Sequence, residues 1–159
     1  MDRTSKENYY LGIADAVQER STCMRRKYGA IIVRNDEIIS TGYNGAPRGR
    51  KNCNDLGYCA REALQIPSGE RYELCRSVHA EANAIISASR RDMIGATLYL
   101  VGRDAKTGEL LHDTTSCSMC RRQIINAGIA KVVARIGEDD FTITNVDEWI
   151  LKDDSVPNK

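Results

Sequence analysis

The chain has 159 residues, 42% of them hydrophobic and 28% charged, with 23 basic side chains against 22 acidic ones for a formal net charge of +1. That is the balance of a soluble globular protein of ordinary domain size. It argues against a surface built mainly to neutralise nucleic-acid phosphates, while leaving room for one basic pocket. The longest apolar runs, such as Ala30-Ile31-Ile32-Val33, are far too short to span a bilayer. The first residues, Met1-Asp2-Arg3-Thr4-Ser5-Lys6-Glu7-Asn8, hold no apolar signal core. The expectation is one cytoplasmic domain over 1–159, with neither a membrane nor a nucleic-acid polymer as partner.

Along the chain, 6–20 has helical periodicity, with Tyr10, Ile13, Ala14 and Val17 recurring at three- and four-residue steps. Segments 29–34 and 37–42 read as strands joined by a tight turn at Asn35-Asp36. A glycine-rich loop, Tyr43-Asn44-Gly45-Ala46-Pro47-Arg48-Gly49, follows the second strand. Residues 50–76 are polar and irregular, an insertion with three cysteines and a short helix near 60–64. From His79 the pattern is helical again, with Ala80, Ala84, Ile85 and Ala88 on one face. Then come a strand at 96–101 and a turn-rich, hairpin-like insertion at 102–115. A helix at 120–127 ends at Gly128, a strand follows at 130–136, and a short helix closes the chain at 146–152. Strands alternating with helices predict an α/β layered sheet.

Six cysteines (23, 53, 59, 75, 117 and 120) and two histidines, His79 and His112, are the candidate metal ligands. Without a secretory signal such cysteines point to metal binding or to buried thiols that pack as apolar groups. His79-Ala80-Glu81 opens one predicted helix, and Cys117-Ser118-Met119-Cys120 opens another. Cysteines at i and i+3 present both sulfurs to one point from a first turn, where exposed N–H groups and the dipole favour thiolate. One imidazole nitrogen and two thiolates give zinc three ligands and leave a fourth position open, as in catalytic rather than structural sites. Glu81, two residues beyond His79, is then a candidate proton shuttle that does not ligate the metal. His112 has no flanking ligands and reads as a surface residue.

The combination H-x-E with a later C-x-x-C is the signature of the zinc nucleobase deaminases. The chain resembles the cytidine and deoxycytidylate deaminases, and within them the deoxycytidylate branch, from about Tyr9 to Val133. The resemblance is carried by Ser21-Thr22-Cys23, Gly29 to Val33, Gly42 to Gly49, His79 to Ile85, Cys117 to Cys120 and Ile124 to Ile129. It implies a three-layer α/β/α fold around a mixed five-stranded sheet. It also implies hydrolytic conversion of dCMP to dUMP and ammonia, with Glu81 moving the proton from water to N3 and then to the leaving amine. Asn44 matches an asparagine that contacts the substrate sugar, and the backbone N–H groups of Ala80 and Cys117 are expected near the pyrimidine edge. Ser116 stands where the family has proline; its hydroxyl is a candidate helix cap.

The same resemblance suggests a second, structural zinc on Cys23, Cys53, Cys59 and Cys75, against the alternative of free buried thiols. It further implies dCTP and dTTP effectors and a homo-oligomer, often a hexamer. Gly42, Gly45, Gly49, Arg48 and Arg90 are the effector or phosphate candidates, within a wider set of Arg25, Arg26, Lys27, Arg50, Arg71 and Arg76. The rival readings are a deaminase of dCTP, free cytidine, guanine or tRNA adenosine, and a zinc module without catalysis. Glu81 argues against the last, because a structural zinc has no need of a neighbouring carboxylate.

Overall fold

The structure, a computed structural model, describes residues 2–157. Helix α1 (Lys6–Gln18) leads into strands β1 (Arg26–Arg34) and β2 (Glu37–Tyr43). Short helices α2 (Cys53–Leu56) and α3 (Ala60–Ala63) and a single 3-10 turn (Tyr72–Leu74) punctuate the insertion. Helices α4 (Ala80–Ile86) and α5 (Arg90–Met93) precede β3 (Thr97–Asp104), and α6 (Ser118–Ala127) precedes β4 (Lys131–Arg135). Strand β5 (Phe141–Asn145) and helix α7 (Asp147–Leu151) complete the order.

The strands form one mixed sheet in the order β2-β1-β3-β4-β5, antiparallel throughout except for the parallel β3–β4 pair. Its centre follows from the period-two alternation of apolar residues, which sends successive side chains to opposite faces. Ala30, Ile32, Leu98, Leu100 and Val132 point to one face and meet Ala80 and Ala84 of α4 and Ile124 and Ala127 of α6. Ile31, Val33, Tyr99, Val101 and Val133 point to the other and meet Tyr10, Leu11 and Ala14 of α1. Three layers result, each fully buried aliphatic contributing about 1.5–3 kcal/mol. Among the described residues no helix is long and apolar enough to cross a membrane.

Because β2 and β3 are both antiparallel to β1, they run in the same direction. The helices that follow them, α4 and α6, therefore both start beyond carboxyl ends of co-directional strands, where open α/β sheets gather their ligands. Close approach of α4 to the sheet depends on Gly42 of β2. A Cβ at that position would lie 2.4 Å from both the Ala80 carbonyl oxygen and the Ala84 nitrogen. Beyond it, Gly45 and Val78 exchange both backbone hydrogen bonds, at 3.2 and 2.7 Å, and so tie the glycine-rich loop to the residue before His79.

Most predicted elements are present with shifted ends. Helix α1 stops at Gln18, and its buried face uses Leu11 in place of a fully buried Ile13 or Val17. Strand β3 continues to Asp104, so the turn-rich insertion starts later than the expected 102 and is pinned by an isolated Arg103–Leu110 bridge. The fifth strand, β5, falls in a stretch with no strand expectation; its residues are exposed or half-buried and carry no apolar run. Helices α2 and α5, of four residues each, are also additions.

Two glycines make a paired test. Gly12, on the exposed side of α1, has nothing within 4 Å of an added Cβ. Gly12→Ala is expected to raise stability by about 0.5–1 kcal/mol, whereas Gly42→Ala should lower it by about 1–3 kcal/mol or more. Urea unfolding checks both signs.

Candidate functional site

His79 and Cys117 occupy the N-cap positions of α4 and α6, each with extended backbone (φ −68 and −69) that turns into the helix behind it. Cys120 follows one turn later on the buried side of α6. The His79 Nδ1 lies 3.5 Å from Cys117 Sγ and 3.4 Å from Cys120 Sγ. These three ligand atoms lie within 4.8 Å of one another, the one such group of His, Cys, Asp and Glu among the described residues. The donor set fits zinc: a nitrogen and two sulfurs converging on a point, with α6 adding the positive end of its dipole.

Without a cation, the protein's own electrostatics favour the ligating form of one of the three groups, Cys117. The Cys117 thiol is held well below the usual range by a hydrogen bond from Cys120 and by His79, against the opposing effect of burial. Cys120 is pushed up by Cys117 and by burial, since two sulfurs this close do not both ionise without a cation between them. His79 rises to about 10, through Cys117 first and then Cys75.

Glu81, in the first turn of α4, is 5% exposed. Burial pushes its carboxyl up; its own backbone N–H, His79 and the Ser116 hydroxyl act in the opposite direction. Ser116 does not cap α6 as expected. Cys117 holds the cap position, and the Ser116 hydroxyl, 2% exposed, makes no hydrogen bond of ordinary geometry.

His79, Glu81 and Cys117 open onto a cavity of about 340 Å³ that Asn44 also lines. Asn44 is a clamp before it is anything else. Its Oδ1 accepts from Tyr28 N at 2.8 Å and Ser21 Oγ at 2.6 Å, and its Nδ2 donates to the Arg26 carbonyl at 2.9 Å. One Nδ2 hydrogen remains for a ligand. Ala80 is the first residue of α4, so its amide has no partner within the helix.

Cys23, Cys59 and Cys75 line the same cavity. Cys53 sits behind them, its thiol pushed up by burial and then by the sulfurs of Cys23, Cys75 and Cys59. The four share a neighbourhood but do not reach the ligand spacing of the first group. Backbone N–H groups of Arg25 and Ser77 donate to Cys23 and Cys75 Sγ, each at 3.4 Å.

The phosphate candidates separate sharply. Arg25 and Arg26 line the cavity; Arg48, Arg50, Arg71, Arg76 and Arg90 do not. Arg48 and Gly49 are exposed on the loop, Arg90 donates to the Asn126 carbonyl, and Lys27 faces a different groove beside Arg103. Gly42 and Gly45 serve the packing of α4 and its approach segment. His112 is exposed and bonded to the Ile136 carbonyl. Among the cavity residues that sequence reasoning passed over are Tyr28, Arg61, Tyr72 and Asp113. Their only local signal is residue type.

A 38% identical relative, the deoxycytidylate deaminase of Mycobacterium phage D29, matches over 138 residues, 84% of this chain and 96% of that protein. The deoxycytidylate deaminase of Schizosaccharomyces pombe is 37% identical over 131 residues, 82% of this chain, but the chain spans just 37% of its length. Among solved structures, the dCMP deaminase of cyanophage S-TIM5 in complex with dCMP and dUMP superposes with a TM-score of 0.56 at 25% identity, covering 85% of this chain and 84% of that one. The sequence model of the cytidine and deoxycytidylate deaminase zinc-binding region matches residues 4–136, a span that holds the cavity and its three converging ligands, and the chain belongs to that family.

Proposed function

We propose that the protein is a zinc-dependent hydrolytic deaminase that converts dCMP and water into dUMP and ammonia. The observation that carries this reading is a buried carboxylate, Glu81, facing the same cavity as a His79–Cys117–Cys120 donor set. A purely structural zinc has no use for such a group. The relatives named deoxycytidylate deaminases, and the S-TIM5 structure holding dCMP and dUMP, support the choice of substrate.

His79 Nδ1, Cys117 Sγ and Cys120 Sγ would hold the metal. Zinc at such a site acidifies a bound water toward neutrality. Glu81 would take one proton from the water and deliver it to ring N3 as C4 is attacked, then carry the remaining proton of the new C4 hydroxyl to the amino group, which departs as ammonia. Burial raises the Glu81 carboxyl's affinity for a proton above that of a solvated carboxylate, which makes it the stronger base toward the water. The free Nδ2 hydrogen of Asn44 is available to the sugar, in an orientation fixed by Ser21, Tyr28 and Arg26. The amides of Ala80 and Cys117 are available to the pyrimidine edge. Control by dCTP and dTTP in a homo-oligomer is carried by the family resemblance alone.

Glu81→Gln should lower dCMP turnover by roughly 10²–10⁴-fold while zinc content stays unchanged. Full activity in that variant, or a wild-type protein that releases no ammonia from dCMP, overturns the reading. We also propose a second, structural zinc on Cys23, Cys53, Cys59 and Cys75, supported by their shared neighbourhood. Since they stand wider than ligand spacing, binding draws the insertion inward. Elemental analysis should then give about two zinc ions per chain. Cys53→Ser should reduce this to one and lower the melting temperature; one zinc in both proteins removes the second site.

A further inference from the structure

The two insertions singled out in the sequence, 50–76 and 102–115, are both fastened to the same place. Arg25 and Arg26, at the start of β1, are consecutive residues in the wall of the candidate active-site cavity. Arg25 Nε pairs with Glu62 Oε1 of α3 at 3.0 Å, and Arg26 Nη1 pairs with Asp113 Oδ2 at 3.8 Å. One acid comes from each insertion. Both pairs are solvent-accessible, with side-chain exposures of 36% and 57% for the first and 48% and 70% for the second. Pairs of that kind are weak and exchange readily for another anion.

The same wall carries an excess of positive charge. Arg61 is 5% exposed, and its guanidinium has carbonyl partners, Pro67 O at 3.0 Å and Glu70 O at 2.6 Å. Its Nε is buried without a partner. It stacks on Tyr72, 4.5 Å from the ring centroid, and Tyr72 in turn packs edge-on against His79. Three guanidiniums thus line a cavity whose lining acids are Glu81, beside the candidate metal ligands, and Asp113. A buried guanidinium without a carboxylate calls for an anionic partner.

We propose that Arg25 and Arg26 read the phosphate of the bound nucleotide, and that Glu62 and Asp113 are internal anions which occupy the two guanidiniums until that phosphate displaces them. The inference rests on the nucleotide assignment above and adds to it the residues that set phosphate selectivity. Displacement frees both insertions from the cavity wall at the moment of binding. It also makes an acid in the wall a competitor of the ligand, so removing that acid tightens binding instead of weakening it. A structural role for Asp113 predicts the opposite sign.

Calorimetric titration with the product dUMP and with deoxyuridine, which lacks the phosphate, needs no turnover and separates these cases. The wild-type protein should prefer dUMP. Asp113→Asn should tighten dUMP about two- to fivefold, and Arg26→Gln should weaken it by about tenfold or more. Neither should move deoxyuridine. Unchanged or weaker dUMP binding by a folded Asp113→Asn protein overturns the proposal, as does a parallel change in both ligands or a wild-type protein without preference for dUMP. If the dUMP preference and both shifts appear while dCMP yields no ammonia, the phosphate reader stands and the deaminase assignment falls.

Discussion

The site depends on how closely one short helix lies on the sheet. Where Gly42 has no side chain, the backbone of α4 occupies the space a Cβ would need, with Ala80 and Ala84 atoms 2.4 Å from that point. This contact sets the height and direction of α4, and with it the positions of His79 at its cap and Glu81 in its first turn. The Gly45–Val78 bridge fixes the approach from the other side. Helix α6 reaches the same place through the parallel β3–β4 connection, so two elements far apart in sequence offer three ligand atoms within 4.8 Å. Small residues along the facing surfaces, among them Ala80, Ala84 and Ala127, permit that convergence.

The electrostatics follow from the convergence. Thiols brought this near to each other and to an imidazole cannot keep their solution behaviour. Cys117 is driven toward thiolate, His79 toward imidazolium and Cys120 toward its neutral form. A divalent cation resolves the conflict by letting both sulfurs ionise and the imidazole stay neutral. Glu81 takes part in the same competition, acting on His79 and Cys120, and burial leaves it with a raised affinity for a proton. The cavity that Glu81 and His79 open onto also carries the rings of Tyr28 and Tyr72 and the guanidiniums of Arg25, Arg26 and Arg61.

What could be read from the sequence was what is local. The His79, Glu81, Cys117 and Cys120 spacings are fixed within single helical turns, so their types and intervals carry the geometry. The apolar run Ala30 to Val33 likewise lies in a segment read as a strand, and all four residues are buried in the structure. Strand β5 was missed because an edge strand with one covered side needs no apolar run: Phe141-Thr142-Ile143-Thr144-Asn145 offered β-forming residues but little hydrophobic signal. Arg25 and Arg26 could not be told from the other arginines, because what distinguishes them is a shared cavity with Arg61 and Asp113. Asn44 was picked out through the family resemblance as a sugar-contacting asparagine, but its hydrogen bonds to Ser21, Tyr28 and Arg26 depend on three chain segments meeting.

The central claim is that three protein ligands and one open position face Glu81. An anomalous difference map from crystals of the zinc-loaded protein, measured at the zinc edge, tests it most directly. The account predicts a peak bonded to His79 Nδ1, Cys117 Sγ and Cys120 Sγ, with a non-protein fourth ligand within hydrogen-bond reach of the Glu81 carboxyl. A fourth ligand drawn from the protein, or zinc absent from these residues, would contradict it.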